Sequence, residues 1–463
     1  MLKGRSLREE CGVFGVFGVD KAAANVLVGL SALQHRGQEG CGVASLENSG
    51  RIAVRKGLGL VSHVFPRDAF REHTGRFAIG HVRYGTSGGG ELDNVQPFVF
   101  HRDTHDFAVV HNGNIVNTEE LKIELERRGT LFRSSSDSEI LGHLVHALST
   151  GKEELTTHSL KRALNLIDGA FSFLVLTPDR LFACRDKYGF RPLSIARLGD
   201  GYVVGSETCA LHAVGAQVLR DVRPGEVVEI GPDGVSSSFF ATEHRNALCA
   251  MEYVYFARPD SDLEGVNVHA FRVESGKLLF RESPVEADMV FGVPDSGISG
   301  AIGYARASGL PLETGLIKNF YVGRTFIQPN QSLRMTGVRL KLTPVSSVVK
   351  GKRVVVLDDS IVRGTTSRQI VRMLRDAGAA EIHLRITSAP LRHPCYYGVD
   401  ISTETELISA RMDVEEVCRY VGADSLAFLS EAGMLEAGRR TELCMACFND
   451  KYPTALYSHG EEP

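Results

Sequence analysis

The chain of 463 residues is long enough for two or three domains, and its 43% hydrophobic content is that of a globular protein with buried cores. A net charge of −4 supplies no global basic field for nucleic acid or acidic membranes, and no apolar run approaches the ~18 residues of a membrane helix. The nine cysteines, odd in number and widely scattered, argue against a disulfide framework and leave some of them for catalysis or metal binding.

At the N-terminus, Lys3 and Arg5 precede the apolar stretch Cys11–Val19, but Glu9 and Glu10 intervene and no small-residue cleavage site follows. A secretory signal is therefore not expected, and the expected location is cytoplasmic. Met1–Glu10 reads as a polar leader to Cys11-Gly-Val-Phe-Gly15. To about residue 240, short strands with Gly turns dominate: Phe77–Tyr84, Phe98–His101, Phe107–His111, Phe171–Leu176 and Tyr202–Gly205. Between them, Asn117 and Glu120 have capping-box spacing ahead of a stop at Gly129. Leu141, Leu144, Val145 and Leu148 form one apolar helix face behind Ser136-Asp-Ser-Glu139. This pattern predicts antiparallel sheets covered by helices, an α+β layout.

The character changes near residues 235–255. Met289–Val293, Val354–Leu357 and Ile382–Thr387 are continuous apolar strands with helical patterns between them, which predicts a buried parallel sheet of α/β type. Val293-Pro-Asp-Ser-Gly297 predicts a tight, amide-presenting turn suited to pyrophosphate, with Ser296 near a metal. Between Lys318 and Arg353 lie eight basic residues and no acidic one: Lys318, Arg324, Arg334, Arg339, Lys341, Lys350, Lys352 and Arg353. As a block they predict an electropositive cover for a polyanion. Gln328–Gly337 inside it, polar and broken by Pro and Gly, predicts a lid. Nucleic acid is the rival ligand, but only Phe320, Tyr321 and Phe326 could stack on bases.

The most informative stretch is Val354–Ser367, where an apolar strand runs into Asp358 and Asp359, then a Gly/Thr/Ser loop, then a helix over Thr365–Asp376 that stops at Gly378. The carboxylates suit ribose hydroxyls, held directly or through Mg²⁺, which prefers hard oxygen ligands. The loop Val362-Arg-Gly-Thr-Thr366 offers backbone N–H groups, hydroxyls and a helix N-terminus, which together cradle phosphate. The tail from about Asp413 reads as helical and ends in Cys444-Met-Ala-Cys447. That pair alone is ambiguous among redox chemistry, a zinc half-site and a cluster ligand, and Cys249 with Cys395 would complete a four-thiolate site. Cys41, Cys184, Cys209 and Cys418 are left as packing residues.

The Val354–Ser367 run resembles the phosphoribosylpyrophosphate (PRPP) signature of type I phosphoribosyltransferases. In the first half, Cys11-Gly-Val-Phe-Gly15, His35-Arg-Gly-Gln-Glu-Gly40, His81-Val-Arg-Tyr-Gly-Thr86, His111-Asn-Gly-Asn114 and Ser136-Asp-Ser-Glu139 resemble, in that order, the glutaminase domain of N-terminal-nucleophile (class II) glutamine amidotransferases. Together the two sets resemble the amidophosphoribosyltransferase family, in its propeptide-bearing, iron–sulfur form. The resemblance implies a propeptide over 1–10, a glutaminase domain of N-terminal-nucleophile hydrolase type over 11–240, and a type I phosphoribosyltransferase domain over 250–463 with a helical, cluster-binding C-terminal tail.

It also implies roles. Cys11 would be the nucleophile, with its own α-amine as base once Met1–Glu10 is removed. Asn112 and Gly113 would form the oxyanion hole, Arg83 would bind the glutamine carboxylate, and Asp137 its amino group. PRPP would lie on Asp295, Ser296, Gly297, Asp358, Asp359, Ser360, Val362, Arg363, Gly364, Thr365 and Thr366, under a lid carrying Arg324, Thr325, Phe326, Gln331 and Lys341. Ser296, Asp358 and Asp359 would contact one Mg²⁺ per chain, and Cys249, Cys395, Cys444 and Cys447 would hold a [4Fe–4S] cluster. The implied reaction makes 5-phosphoribosylamine, glutamate and pyrophosphate, committing the cell to purine synthesis. The implied partners are glutamine, PRPP, inhibitory purine nucleotides and three further copies in a homotetramer, with no nucleic acid or membrane. Two rival readings are another class II amidotransferase, such as a hexosamine-phosphate synthase, and a non-catalytic PRPP-sensing regulator. The PRPP signature and the lack of a sugar-isomerase repeat speak against the first, and the retained Cys11, Arg83, Asn112 and Asp137 against the second.

Overall fold

The computed structural model describes residues 11–47, 49–66, 69–70, 75–84, 92–102, 106–148, 155–319, 342–401 and 403–456. The leader Met1–Glu10, the segment Gln328–Gly337 and the lid residues Arg324, Thr325, Phe326, Gln331 and Lys341 lie outside the described residues.

The first half is built on two antiparallel sheets. One has seven strands in the order Gln217–Asp221, Ser194–Leu198, Gly201–Gly205, Gly12–Phe17, Phe77–Arg83, Gly40–Leu46 and Ile52–Leu58. The other has six, in the order Gly234–Phe239, Glu226–Gly231, Leu181–Arg185, Gly169–Leu176, Phe107–Ile115 and Phe98–Phe100. Strand periodicity of two decides which residues face which layer. Val13 and Phe17 point between the sheets, where they join Ile79, Ala108, Val110, Leu174 and Ile230. Phe14 and Val16 point outward onto the Ala22–Ala32 helix through Val26 and Leu30. Beyond the second sheet, Leu141, Leu144 and Val145 of the Glu139–Leu148 helix pack on Phe107, Val109, Phe171 and Phe173. The result is a four-layer αββα arrangement, in which the central strands Gly12–Phe17 and Gly169–Leu176 are buried on both faces and edge strands such as Gly234–Phe239 are largely exposed.

The second half holds a parallel sheet in the order Met289–Gly292, Arg353–Asp358, Glu381–Ile386 and Ser425–Phe428. Alternation again sorts the side chains. Val354 and Val356 meet Ile370, Val371 and Leu374 of the Thr365–Asp376 helix, while Val355 and Leu357 meet the Val268–Glu282 and Gly297–Ser308 helices. Adjacent parallel strands bring the turn after Gly292 and the loop after Asp358 side by side at their carboxyl ends, the usual ligand crevice of such sheets.

Three expectations need correction. Asn117 stands at the start of the Thr118–Arg127 helix, but no capping box forms. Its amide instead donates to Leu166 O (2.9 Å) and accepts from Asp168 N (2.9 Å), stitching two loops together. The tail is not purely helical: after the Val414–Val421 helix, Ser425–Phe428 adds the fourth parallel strand. Arg324, Arg334, Arg339 and Lys341 of the basic block lie outside the described residues, and its two ends do not share one face. Arg353 enters its strand at the end opposite Asp358 and pairs there with Asp288 (3.2 Å), whereas Lys318 pairs with Asp295 in the ligand crevice.

Candidate functional site

Cys11 stands at the mouth of the Gly12–Phe17 strand, half-buried, with its thiol donating to Tyr84 O at 3.5 Å. Its carbonyl accepts from Arg36 Nε at 3.0 Å. Because Gly12 pairs with Val82, Arg83 at the end of the neighbouring strand arrives beside the thiol end, and it is buried. Asn112 and Gly113 come from the Phe107–Ile115 strand of the other sheet. Asn112 is 1% exposed, and neither its amide nitrogen nor its oxygen has a partner among the described residues. An unsatisfied buried amide costs roughly 1–3 kcal/mol, so it calls for a ligand. Gly113 sits at φ 144°, and a Cβ there would lie 2.0 Å from Ala170 O, so only glycine lets the strand present its N–H at this point.

Asp137 accepts from Ile115 N (2.9 Å) and Ser138 Oγ (3.2 Å) and lies 3.7 Å from His111 Nδ1. Burial alone would raise its pKa, but the His111 ring and these hydrogen bonds more than offset that and hold the carboxyl below its usual range. The pocket therefore keeps a carboxylate ready for a cationic group. His81, fully buried behind it, is pushed down to about 3 by burial, then by Arg83 and His111, and stays neutral with Nε2 3.0 Å from His111 O. Gln96 completes the frame by accepting from His111 N (2.6 Å) and donating to Ser138 Oγ (2.9 Å).

In the second half, Ser296 and Ser360 both donate to Asp359, one to each carboxylate oxygen. Asp358 is pushed well above the ordinary carboxylate range by burial and by the charge of Asp359. Asp359 is raised by burial, against the two serine hydrogen bonds and Arg272. Two crowded carboxylates and a hydroxyl form a hard-oxygen donor set that fits Mg²⁺. Gly297 packs so tightly that a Cβ would lie 2.3 Å from Leu357 O. Gly364 (φ 71°) precedes the Thr365–Asp376 helix, leaving Thr365 and Thr366 exposed at its N-terminus. Val362 O accepts from Ile408 N (2.8 Å) and Arg363 pairs with Glu406 (2.8 Å), so the loop is anchored from the tail side. Asp295 is exposed against Lys318.

The four sequence-selected cysteines converge. The backbones of Cys249 and Cys444 pair as an isolated parallel β-bridge, both thiols remaining free, and Cys447 O accepts from Arg392 N (2.9 Å) and His393 N (3.1 Å) just before Cys395. Burial, and then the neighbouring Cys395, Cys249 and Cys444, push the Cys447 thiol far up. Among the described residues no three His, Cys, Asp or Glu side chains close around a single metal ion. Cys249, Cys444 and Cys447 are buried and Cys395 is half-buried, and four thiolates are a donor set of the kind that holds zinc or an iron–sulfur cluster. Cys41, Cys184 and Cys209 are buried as packing residues, and Cys418 is half-buried.

Several contributors carried no assigned role in the sequence. Arg36 stood inside the His35–Gly40 motif. Tyr255 lies near enough to Asp359 and Asp358 for their charge to add to burial in raising its phenol. Arg272 donates to Tyr253 O and Ala257 O (2.8 Å each), and Asp359 partly offsets the burial that lowers it to about 10.

A thiol at the head of an αββα sandwich, joined to a phosphate cradle on a parallel sheet, defines a glutamine amidotransferase fused to a phosphoribosyltransferase. Residues 90–213 match the glutamine amidotransferase domain and residues 278–425 the phosphoribosyl transferase domain. The chain is 50% identical to amidophosphoribosyltransferase of Bacillus subtilis over 98% of its own length and 96% of that protein, and 48% identical to that of Archaeoglobus fulgidus over 98% and 99%. It superposes on the solved glutamine PRPP amidotransferase from B. subtilis complexed with ADP and GMP with a TM-score of 0.91 at 49% identity, covering 97% of this chain and 98% of that one. A structure described as the allosteric regulatory enzyme of purine biosynthesis gives 0.92 at 49% identity, covering 97% of each. The chain belongs to the amidophosphoribosyltransferase family.

Proposed function

We propose that this chain converts glutamine and PRPP to 5-phosphoribosylamine, glutamate and pyrophosphate, the committed step of purine synthesis. The observation that carries the reading is the buried, unpartnered amide of Asn112 in the same half as Cys11, in a chain whose other half carries the paired carboxylates Asp358 and Asp359. The chain divides into a leader (1–10), a glutaminase domain (11–240) and a phosphoribosyltransferase domain (250–463).

Removal of Met1–Glu10 frees the Cys11 α-amine, which takes the thiol proton. The thiolate attacks the glutamine amide carbon while Arg83 and Asp137 hold the substrate carboxylate and ammonium. The developing oxyanion is met by Asn112 Nδ2 and Gly113 N–H. Ammonia departs with a proton returned from the Cys11 amine, and water then releases glutamate from the thioester. In the other half, Ser360, the backbone of Val362–Gly364, Thr365 and Thr366 hold the 5-phosphate, and Asp295, Ser296 and Gly297 the pyrophosphate. Ser296, Asp358 and Asp359 would hold Mg²⁺, which when bound supplies neutralisation of the charge on the leaving pyrophosphate. Ammonia reaches C1 through a closed passage and displaces pyrophosphate with inversion. Cys249, Cys395, Cys444 and Cys447 would hold a [4Fe–4S] cluster that ties the tail to the domain junction. Purine nucleotides regulate a homotetramer, in keeping with the ADP and GMP of the solved relative. Among the described residues no helix is long and apolar enough to cross a membrane.

Cys11→Ala tests the reading. It should abolish glutamine-dependent synthesis and leave ammonia-dependent synthesis intact, and the intact mass of active protein should begin at Cys11. Retention of Met1 in active protein would sink the nucleophile assignment.

A further inference from the structure

Glu252 opens the short Glu252–Phe256 helix at the start of the second half, and its side chain is fully buried. Its carboxylate takes the Arg36 guanidinium end-on, Oε1 accepting from Nη2 at 2.7 Å and Oε2 from Nη1 at 2.9 Å. Oε1 also accepts from Arg191 Nη1 at 3.3 Å. Each arginine reaches a different part of the glutamine site. Arg36 Nε holds the carbonyl of Cys11 at 3.0 Å. Arg191 Nη2 holds the carbonyl of Tyr397. The Tyr396–Gly398 turn in turn lies against the oxyanion strand: Asn114 Nδ2 donates to Tyr396 O at 2.9 Å, and a Cβ on Gly398 would lie 3.4 Å from the Gly113 carbonyl carbon.

We infer that Glu252 is a positioning residue for glutamine hydrolysis, supplied by the phosphoribosyltransferase half: its carboxylate joins the two arginines, sharing Arg36 with the buried Glu207 (2.7 Å from Nη1), and so fixes Cys11 relative to the Asn112–Gly113 strand. The inference rests on the reading of Cys11 as nucleophile and goes beyond it. Nucleophile and oxyanion hole come from different sheets, so their separation is not set by strand pairing. A bidentate carboxylate–guanidinium pair is the stiffest polar joint available to set it. Full burial keeps water from substituting for either partner. The same short helix carries Tyr255 toward Asp358 and Asp359, so the joint that sets the glutamine site is continuous with the backbone beside the phosphoribosyl site. A displacement of about 1 Å between nucleophile and oxyanion donors is enough to cost roughly 100-fold in rate.

The test uses the full mature chain with Glu252→Gln, which keeps shape and removes the charge. The expected result is a fall of about tenfold or more in glutamine-dependent kcat with glutamine KM changed less than about threefold and ammonia-dependent synthesis within about twofold. Alkylation of Cys11 by a glutamine-like chloroketone should slow in parallel. If Glu252→Gln does not fold, Asn114→Ala, which loses only the Tyr396 contact, should show the same selective fall. Unchanged glutamine turnover, or a fall shared equally by ammonia-dependent synthesis and thermal stability, would overturn the inference. Cys11→Ala run alongside separates the two readings. Glutamine hydrolysis surviving in Cys11→Ala overturns the nucleophile assignment, whereas a dead Cys11→Ala beside a fully active Glu252→Gln overturns the positioning role alone.

Discussion

Asn112→Ala isolates the proposed oxyanion hole from the rest of the fold. The side chain is 1% exposed and has no hydrogen-bond partner among the described residues. Truncation therefore removes a buried amide whose desolvation costs about 1–3 kcal/mol, and it leaves a small cavity with a cost of similar size. The two nearly cancel, so the urea midpoint should move little. Catalysis should move a great deal, because losing one preorganised oxyanion donor costs about 10²–10³ in kcat, or about 2.7–4 kcal/mol. The assay compares glutamate release at saturating PRPP with ammonia-dependent pyrophosphate release by the same variant. An oxyanion donor at Asn112 requires the full loss in the first and none in the second. A loss under about tenfold, or an equal loss with ammonia, would refute it.

Asp358→Asn should abolish phosphoribosyl transfer yet raise the melting temperature of metal-free protein at neutral pH. The folded carboxyl sits above its unfolded value of 3.8, so its stabilising share is present at low pH and is lost as pH rises through the folded value. A lower melting temperature for the variant would contradict the crowded-carboxylate account. His81 acts in acid: its folded value of about 3 lies below the unfolded 6.5, so the unfolded chain binds the extra proton in that window. Stability from the neutral ring is present above pH 6.5 and falls by about 2 kcal/mol from pH 7 to pH 5, a loss that urea titration should find smaller in His81→Gln. Purified protein should be brown and hold about four iron atoms, and zinc in their place would overturn the cluster.

The strand–loop–helix of Val354–Asp376 was readable because each of its parts has a local signal. The strand is continuous and β-branched, Gly364 marks the turn into Thr365–Asp376, and Ile370, Val371 and Leu374 give the buried face. The glutaminase pocket was legible as motifs in order, not as geometry, since Cys11 and Asn112 meet only when two sheets stack. Ser425–Phe428 escaped notice because four residues without a β-branched side chain resemble a helix connection. Asn117 has the right spacing for a capping box, but its amide had a better use across the Leu166–Asp168 loop. The charge run ending at Arg353 could not reveal that a strand separates its two ends. The pairing of Glu252 with Arg36 was not legible: Arg36 lies in the His35–Gly40 motif, but no pattern links it to a carboxylate 216 residues away.

The central claim, that one chain makes ammonia and spends it on PRPP, is tested most directly by stoichiometry. Mature protein supplied with glutamine, PRPP and Mg²⁺ should release glutamate and pyrophosphate in equal amounts, and leaving out PRPP should suppress glutamate release. Glutamate formed at the same rate with or without PRPP would contradict it.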